Sequence, residues 1–219
     1  MPIVFDNFSR MKTRDKIINT AIHLFNDQGT KSVSTNHIAA AAGISPGNLY
    51  YHFRNKEDII RAIFEQMDIY GMEQYLLIFH EAQQGSLEAI EQTFVMIQKF
   101  NWRYRFFKRE LTALIMNDGI LKDKFHQTHR KMLGVVHQSN VAAVEVGTLK
   151  PLSDRDMSLF TEEIWLVALF WLNYLEVGGE EVNEDTLTRG IDLLRNMLRP
   201  RLTEEALISL SQKENSAGT

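Results

Sequence analysis

The 219-residue chain has no cysteine. Disulfides and thiolate metal sites are therefore excluded, which fits a reducing compartment, and the cytoplasm is the expected location. Long apolar runs are also missing. The densest, residues 164–172, falls far short of the ~20 residues that span a bilayer, and residues 1–16 lack the apolar centre of an export signal. No membrane segment is expected. Apolar–polar alternation of strand length is absent. So are a glycine-rich phosphate loop, a nucleophile motif and a coherent set of metal ligands, so neither an enzyme, a metal nor a cofactor is expected. There is no internal repeat and no low-complexity tract.

Apolar residues make up 44% of the chain, enough for a substantial core in one large domain or two smaller ones. The net charge of −4 hides an asymmetry. Residues 1–56, with Arg10 the first cation, hold seven lysines and arginines against three acids, whereas the remainder holds 17 against 25. A basic module joined to an acidic one is implied. Apolar residues recur at helical spacing, as in Ile17, Ile18, Ala21, Ile22 and Phe25. The expected fold class is all-α.

Local signals near the N-terminus are dense. Gly29 ends a first helix, and Ser34 caps a second that runs to about Ala42. Gly43-Ile44-Ser45 forms a turn. Pro46 suits the first position of a third helix, where its missing N–H has no partner to lose, and Ser45 caps it. Asn55 caps a fourth helix, with Glu57 and Asp58 in its first turn. Two short helices joined at a glycine turn describe a helix-turn-helix. With Leu49 inward and 100° per residue, Phe53 shares its side, Gly47 and Tyr51 lie nearly opposite, and Asn48 and Tyr50 flank the exposed arc. A small residue, an amide and tyrosines on one face suit a major groove. Thr35 and Asn36 start the second helix, where free N–H groups attract phosphate. Lys56, in a first helical turn that disfavours a cation, is expected to pair with phosphate. Taken singly, His52 and the tyrosines read equally as surface or boundary residues.

These residues resemble a known family. Ala21-Ile-His-Leu-Phe-Asn-Asp-Gln-Gly29, Ile38-Ala-Ala-Ala-Ala-Gly43 and Leu49-Tyr-Tyr-His-Phe-Arg-Asn-Lys56 are similar to the TetR family of bacterial transcriptional regulators. The resemblance implies base or thymine-methyl contacts from Asn36, Gly47, Asn48 and Tyr50, and phosphate contacts from Thr35, Tyr51, His52 and Lys56. Pro46 joins the DNA-facing set, although the family often carries lysine or threonine where this chain has Pro46 or Asn48. The implied architecture is an N-terminal three-helix DNA-binding domain (10–56) linked by a helix over 55–70 to a helical effector-binding and dimerisation domain (71–211). A polar tail (212–219) follows.

In the second domain, residues 86–103, 104–117, 119–146, 154–176, 184–198 and 203–211 are expected to be helical. Residues 163–175 are apolar nearly all round, so two surfaces must cover that helix. Trp165, Leu169, Trp171 and Leu172, with Leu187, Ile191, Leu194 and Leu198 of the next helix, are assigned to a twofold interface; a buried central helix in a monomer is the alternative. Trp102, Arg103, Tyr104 and Phe107 could line a pocket for a small apolar or amphipathic effector, or form ordinary core beside a solvated basic face. His126 and His129 are three apart, but no third metal ligand accompanies them.

The expected function is a ligand-responsive regulator, a homodimeric repressor released from a near-palindromic double-stranded operator by a small effector. The alternative is a helix-turn-helix regulator controlled by a protein partner.

Overall fold

The computed structural model describes residues 12–217. The expected domain start at residue 10 and the end of the tail, 218–219, lie outside them. The described residues form ten α-helices: α1 Thr13–Ser32, α2 Thr35–Ala41, α3 Pro46–His52, α4 Lys56–Glu81, α5 Leu87–Arg103, α6 Arg105–Asn117, α7 Gly119–Glu145, α8 Asp154–Val177, α9 Glu184–Leu198 and α10 Glu204–Ala217. A 3₁₀ turn, Arg199–Arg201, joins the last two. An isolated bridge between Leu149 and Leu202 is the one β pairing among the described residues, so the class is all-α.

Two elements run longer than the sequence suggests. Gly71 does not stop α4, which continues to Glu81. A Cβ at Gly71 would lie 3.2 Å from the Phe100 ring, so this glycine serves the close approach of α5 rather than a break. Residues 212–217, assigned from the sequence to a polar tail, continue α10. Their Gln, Lys and Glu are good helix formers, with no glycine or proline among them to end it.

Contacts divide the chain into two compact units. The first holds Met1–Ile69 and Tyr104–Leu121, the second Tyr70–Arg103 and Lys122–Thr219. Thus α6, grouped by sequence order with the regulatory helices, packs in the first unit. Its apolar side meets α1 and α4. The Phe106 ring lies 5.2 Å from Phe25, and the Phe107 ring stacks 5.4 Å from Phe64.

In the first unit, Ile17, Ile18, Ala21, Ile22 and Phe25 of α1 are all buried, as their spacing requires. Full burial of each large apolar side chain contributes about 1.5–3 kcal/mol. Gly29 interrupts α1 with a φ of 75°. Just beyond it, the buried Thr30 meets α6: its N–H donates to Glu110 Oε1 at 2.8 Å and its hydroxyl to Glu110 Oε2. Asn26 Oδ1 accepts the N–H of Phe106 at 3.0 Å. It therefore caps α6, whose own N-cap residue, Tyr104, makes no side-chain cap bond.

The second unit is built around Phe94, Phe160, Ile164, Ile191, Leu194 and Leu198. The sequence-based interface therefore needs correction. Leu169, Leu172, Leu187, Ile191, Leu194 and Leu198 are buried within their own chain, at 1–5% exposure. Trp171 is half-buried and donates Nε1–H to Thr186 O at 3.1 Å, its ring lying against Gly190 of α9. An apolar pattern shows that a helix is covered on two sides but not which side meets the same chain.

Candidate nucleic-acid interface and internal cavity

The helix-turn-helix is set by local bonds. Ser34 Oγ accepts the N–H of His37 at 3.2 Å, and Ser34 N–H points back at His37 Nδ1 at 3.4 Å. This is a capping box closed by histidine where Glu or Gln is usual. After α2, Gly43 takes a φ of 63° and Ile44 N–H bonds Ala39 O at 3.0 Å, turning the chain. Ser45 Oγ then accepts the N–H of Asn48 at 3.2 Å, and Pro46 opens α3. Leu49 and Phe53 point inward, 0% and 4% exposed.

The opposite face is open. Asn36, Pro46, Gly47, Asn48, Tyr50 and Tyr51 are exposed, Tyr51 at 85%, while Thr35 and His52 are half-buried. The hydroxyls of Thr35 and Tyr50 are 3.0 Å apart, which fixes Tyr50 against the start of α2. The Tyr51 and His52 rings meet edge-on at 5.2 Å. Eight of the nine residues singled out from the sequence thus lie together, six of them exposed and two half-buried.

Lys56 has partners within the chain. Its Nζ donates to Thr30 O at 2.6 Å and to Val33 O at 3.1 Å, so it ties the start of α4 to the end of α1. Carbonyls at a helix C-terminus lack intrahelical partners and attract cations as a phosphate does. Because these carbonyls lie 23 and 26 residues away in sequence, the pairing is invisible to spacing arguments. Asn55 Oδ1 accepts the N–H of Asp58 at 2.8 Å, as its capping role requires. The Arg61 hydrogen bond holds the Asp58 carboxyl below the ordinary carboxylate range, with Arg54 adding to it and burial opposing both. Arg54 keeps 89% of its side chain exposed beside α3, a cation that the motif reading passed over.

A second site lies wholly in the second unit. Side chains of α4, α5, α7, α8 and α9 surround a cavity of about 100 Å³. The Tyr75 hydroxyl bonds that of Ser139, which in turn donates to Val135 O at 2.9 Å. Burial pushes the Tyr75 phenol above its ordinary pKa, so it stays neutral. Trp165, placed by sequence in the dimer interface, borders this cavity and donates Nε1–H to His129 Nδ1 at 2.7 Å. Sequence patterns missed the cavity because five separate helices build it.

None of the four residues proposed from the sequence for an effector pocket lines this cavity. Tyr104 and Phe107 are buried in the first unit, at 0% and 1% exposure. Arg103 is exposed, with its guanidinium 4.5 Å from the Tyr70 ring centre, and Trp102 is half-buried. The neighbouring basic face is not fully solvated either. Lys108 is 6% exposed, and burial lowers its pKa from 10.5 to about 8. Among the described residues no group of three His, Cys, Asp or Glu is placed to hold a metal ion. No helix among them is long and apolar enough to cross a membrane.

A third surface is apolar and exposed. Leu159, Leu166, Phe170, Tyr174 and Val177 succeed one another along α8 at three- and four-residue spacings, 41–89% exposed except where Glu163 completes the row. Leu193 of α9 is exposed as well.

Two family models match the chain. One, described as bacterial regulatory proteins of the tetR family, covers residues 17–63. The other, described as a bacterial transcriptional repressor, covers 71–210. The HTH-type regulator AcrR of Shigella flexneri is 43% identical over 54 residues, a quarter of each chain. The HTH-type repressor KstR2 of Rhodococcus jostii is 25% identical over 86% of this chain and 91% of its own. A TetR-family regulator from Marinobacter aquaeolei is 32% identical, with a TM-score of 0.80 covering 93% of this chain and 98% of the other. The matched residues contain both the open face of α3 and the helices around the cavity, and the chain belongs to the TetR family of bacterial transcriptional regulators.

Proposed function

We propose that this protein is a homodimeric repressor that reads a near-palindromic DNA site through α3 and leaves it when a small molecule occupies the cavity of the second unit. The observation that carries the reading is the outward face of α3. Asn48, Tyr50 and Tyr51 stand exposed on a helix whose cap, turn and inward anchors hold it rigidly. Asn48 supplies an amide for base edges, whereas Thr35, Tyr51 and His52 supply phosphate contacts that set register. The cationic N-terminal segment adds salt-sensitive attraction to the backbone.

Dimerisation follows from the exposed row on α8. Five large side chains in one line are costly to leave in water, and a twofold mate presenting the same row covers them. Two copies of α3 then enter successive major grooves, roughly 34–36 Å apart. A ligand can weaken such a complex only by binding more tightly to an arrangement that does not fit DNA.

Gel-shift titrations with promoter DNA flanking the gene test the reading. A sequence-selective complex that weakens steeply with salt is expected. Equal affinity for scrambled DNA at moderate salt would overturn it.

A further inference from the structure

Resting on the ligand-responsive reading, the cavity wall narrows the chemistry of the ligand. No residue that lines the cavity carries a charged side chain. A carboxylate, phosphate or ammonium placed there would surrender its hydration with no opposite charge to replace it, a large penalty. The wall's hydroxyl and indole hydrogens are also engaged, as is one of the two amide hydrogens of Asn140. Ser139 donates to Val135 O at 2.9 Å, Thr93 to Ala89 O at 2.7 Å, Asn140 Nδ2 to Thr161 Oγ1 at 3.3 Å and Trp165 to His129 at 2.7 Å. An acceptor-rich head group would have to break these bonds before making its own. The serine and threonine oxygens still have lone pairs, so a single hydroxyl or N–H on the ligand can be received.

Size sets a second limit. At about 100 Å³ the cavity is of the same order as the ~150 Å³ apolar cavities that take up benzene, and well below the roughly 300–1,000 Å³ of pockets for larger ligands. Met96 and Met132, unbranched and polarizable, give two sides of the wall some freedom to fit a ring substituent.

We infer that the cavity binds a compact, uncharged, mostly hydrocarbon molecule about the size of one substituted aromatic ring and rejects anions of the same size. Amphipathic carboxylates are thereby excluded, and the single polar group it accepts is a donor.

Calorimetric titration of the full chain with toluene and p-cresol, against benzoate at neutral pH, tests the inference, with thermal unfolding as a second readout of binding. The neutral probes are expected to bind at least about tenfold more tightly than benzoate. Ala168→Leu, which puts an isobutyl group into the cavity, should weaken both neutral probes by about tenfold or more with helicity retained. Met132→Lys offers an ammonium at the half-buried edge of the wall and should shift the preference towards benzoate. If Ala168→Leu does not fold, Met132→Lys carries the test alone. Benzoate binding as well as toluene, no binding by either neutral probe, or a preference unmoved by Met132→Lys would each overturn the inference. DNA release is scored separately. A neutral probe that binds with this selectivity but leaves the DNA complex intact upholds the ligand class and refutes the ligand-responsive reading.

Discussion

Glu110 gives a sharp test of how the DNA-reading unit is held. Its two carboxylate oxygens accept the N–H and the hydroxyl of Thr30, immediately after the break in α1 at Gly29. Hydrogen bonds to ionised groups contribute about 1.5–3 kcal/mol each, and a buried donor left bare costs about 1–3 kcal/mol. Thr30 is 6% exposed, so Glu110→Ala strands two donors away from water. Glu110 itself is only half-buried, which argues for the low end of these ranges and a total loss of about 3 kcal/mol. For a chain of this size 1 kcal/mol moves the thermal midpoint by about 2–4 °C, so the midpoint should fall by roughly 6–12 °C. Glu110→Gln keeps an acceptor for the N–H and should lose about half as much. Urea unfolding gives the energies, and amide exchange at Thr30, followed by NMR, locates them. A double cycle with Thr30→Val should show coupling of about 1 kcal/mol. If Glu110→Ala stays within about 0.5 kcal/mol of wild type, the carboxylate is not the clamp described.

Lys56→Met should cost about 2 kcal/mol, because two carbonyls lose their charged donor, while leaving the salt dependence of DNA binding unchanged. A shallower salt slope at unchanged stability would restore the phosphate role. Between about pH 8 and 10.5, Lys108 is deprotonated when folded and protonated when unfolded, so stability should rise with pH across that window by up to about 3 kcal/mol. Lys108→Met should abolish the rise, as read by unfolding at pH 7.5 and 10; an unaltered slope would refute the assignment. Phe170→Glu places a charge in the exposed row of α8 and should yield monomers by light scattering with helicity unchanged; a persistent dimer mass would move the interface elsewhere. Tyr51→Ala should weaken all DNA sequences alike, whereas Asn48→Ala should change base preference, both measured on a panel of operator variants. Unfolding of Tyr51→Ala would contradict its 85% exposure.

What the sequence could convey here tracks the distance over which each interaction acts. The cap at Ser45, the proline after it and the Asn55 cap act within three residues, and the inward pair Leu49 and Phe53 within one turn, so the DNA-reading helix was legible residue by residue. The bonds of Lys56 were out of reach of the sequence, because local dipole logic sees its own helix but not the carbonyls 23 and 26 residues upstream. For Tyr104 and Phe107 the sequence left pocket and ordinary core both open for a related reason. Their aromatic character signals burial, but only tertiary packing shows that α6 joins α1 and α4. On α8 the pattern showed that both sides are apolar without dividing them. Leu169 and Leu172 face the chain's own core, and Leu166, Phe170 and Tyr174 face outward.

The bond between Trp165 and His129 makes the cavity optically addressable. Of the three tryptophans, Trp165 is the one in that wall, and its indole N–H ends on an imidazole nitrogen. In a Trp102→Phe/Trp171→Phe background, emission would come from a single indole. Its wavelength would report the polarity of the cavity, in a protein with no added dye.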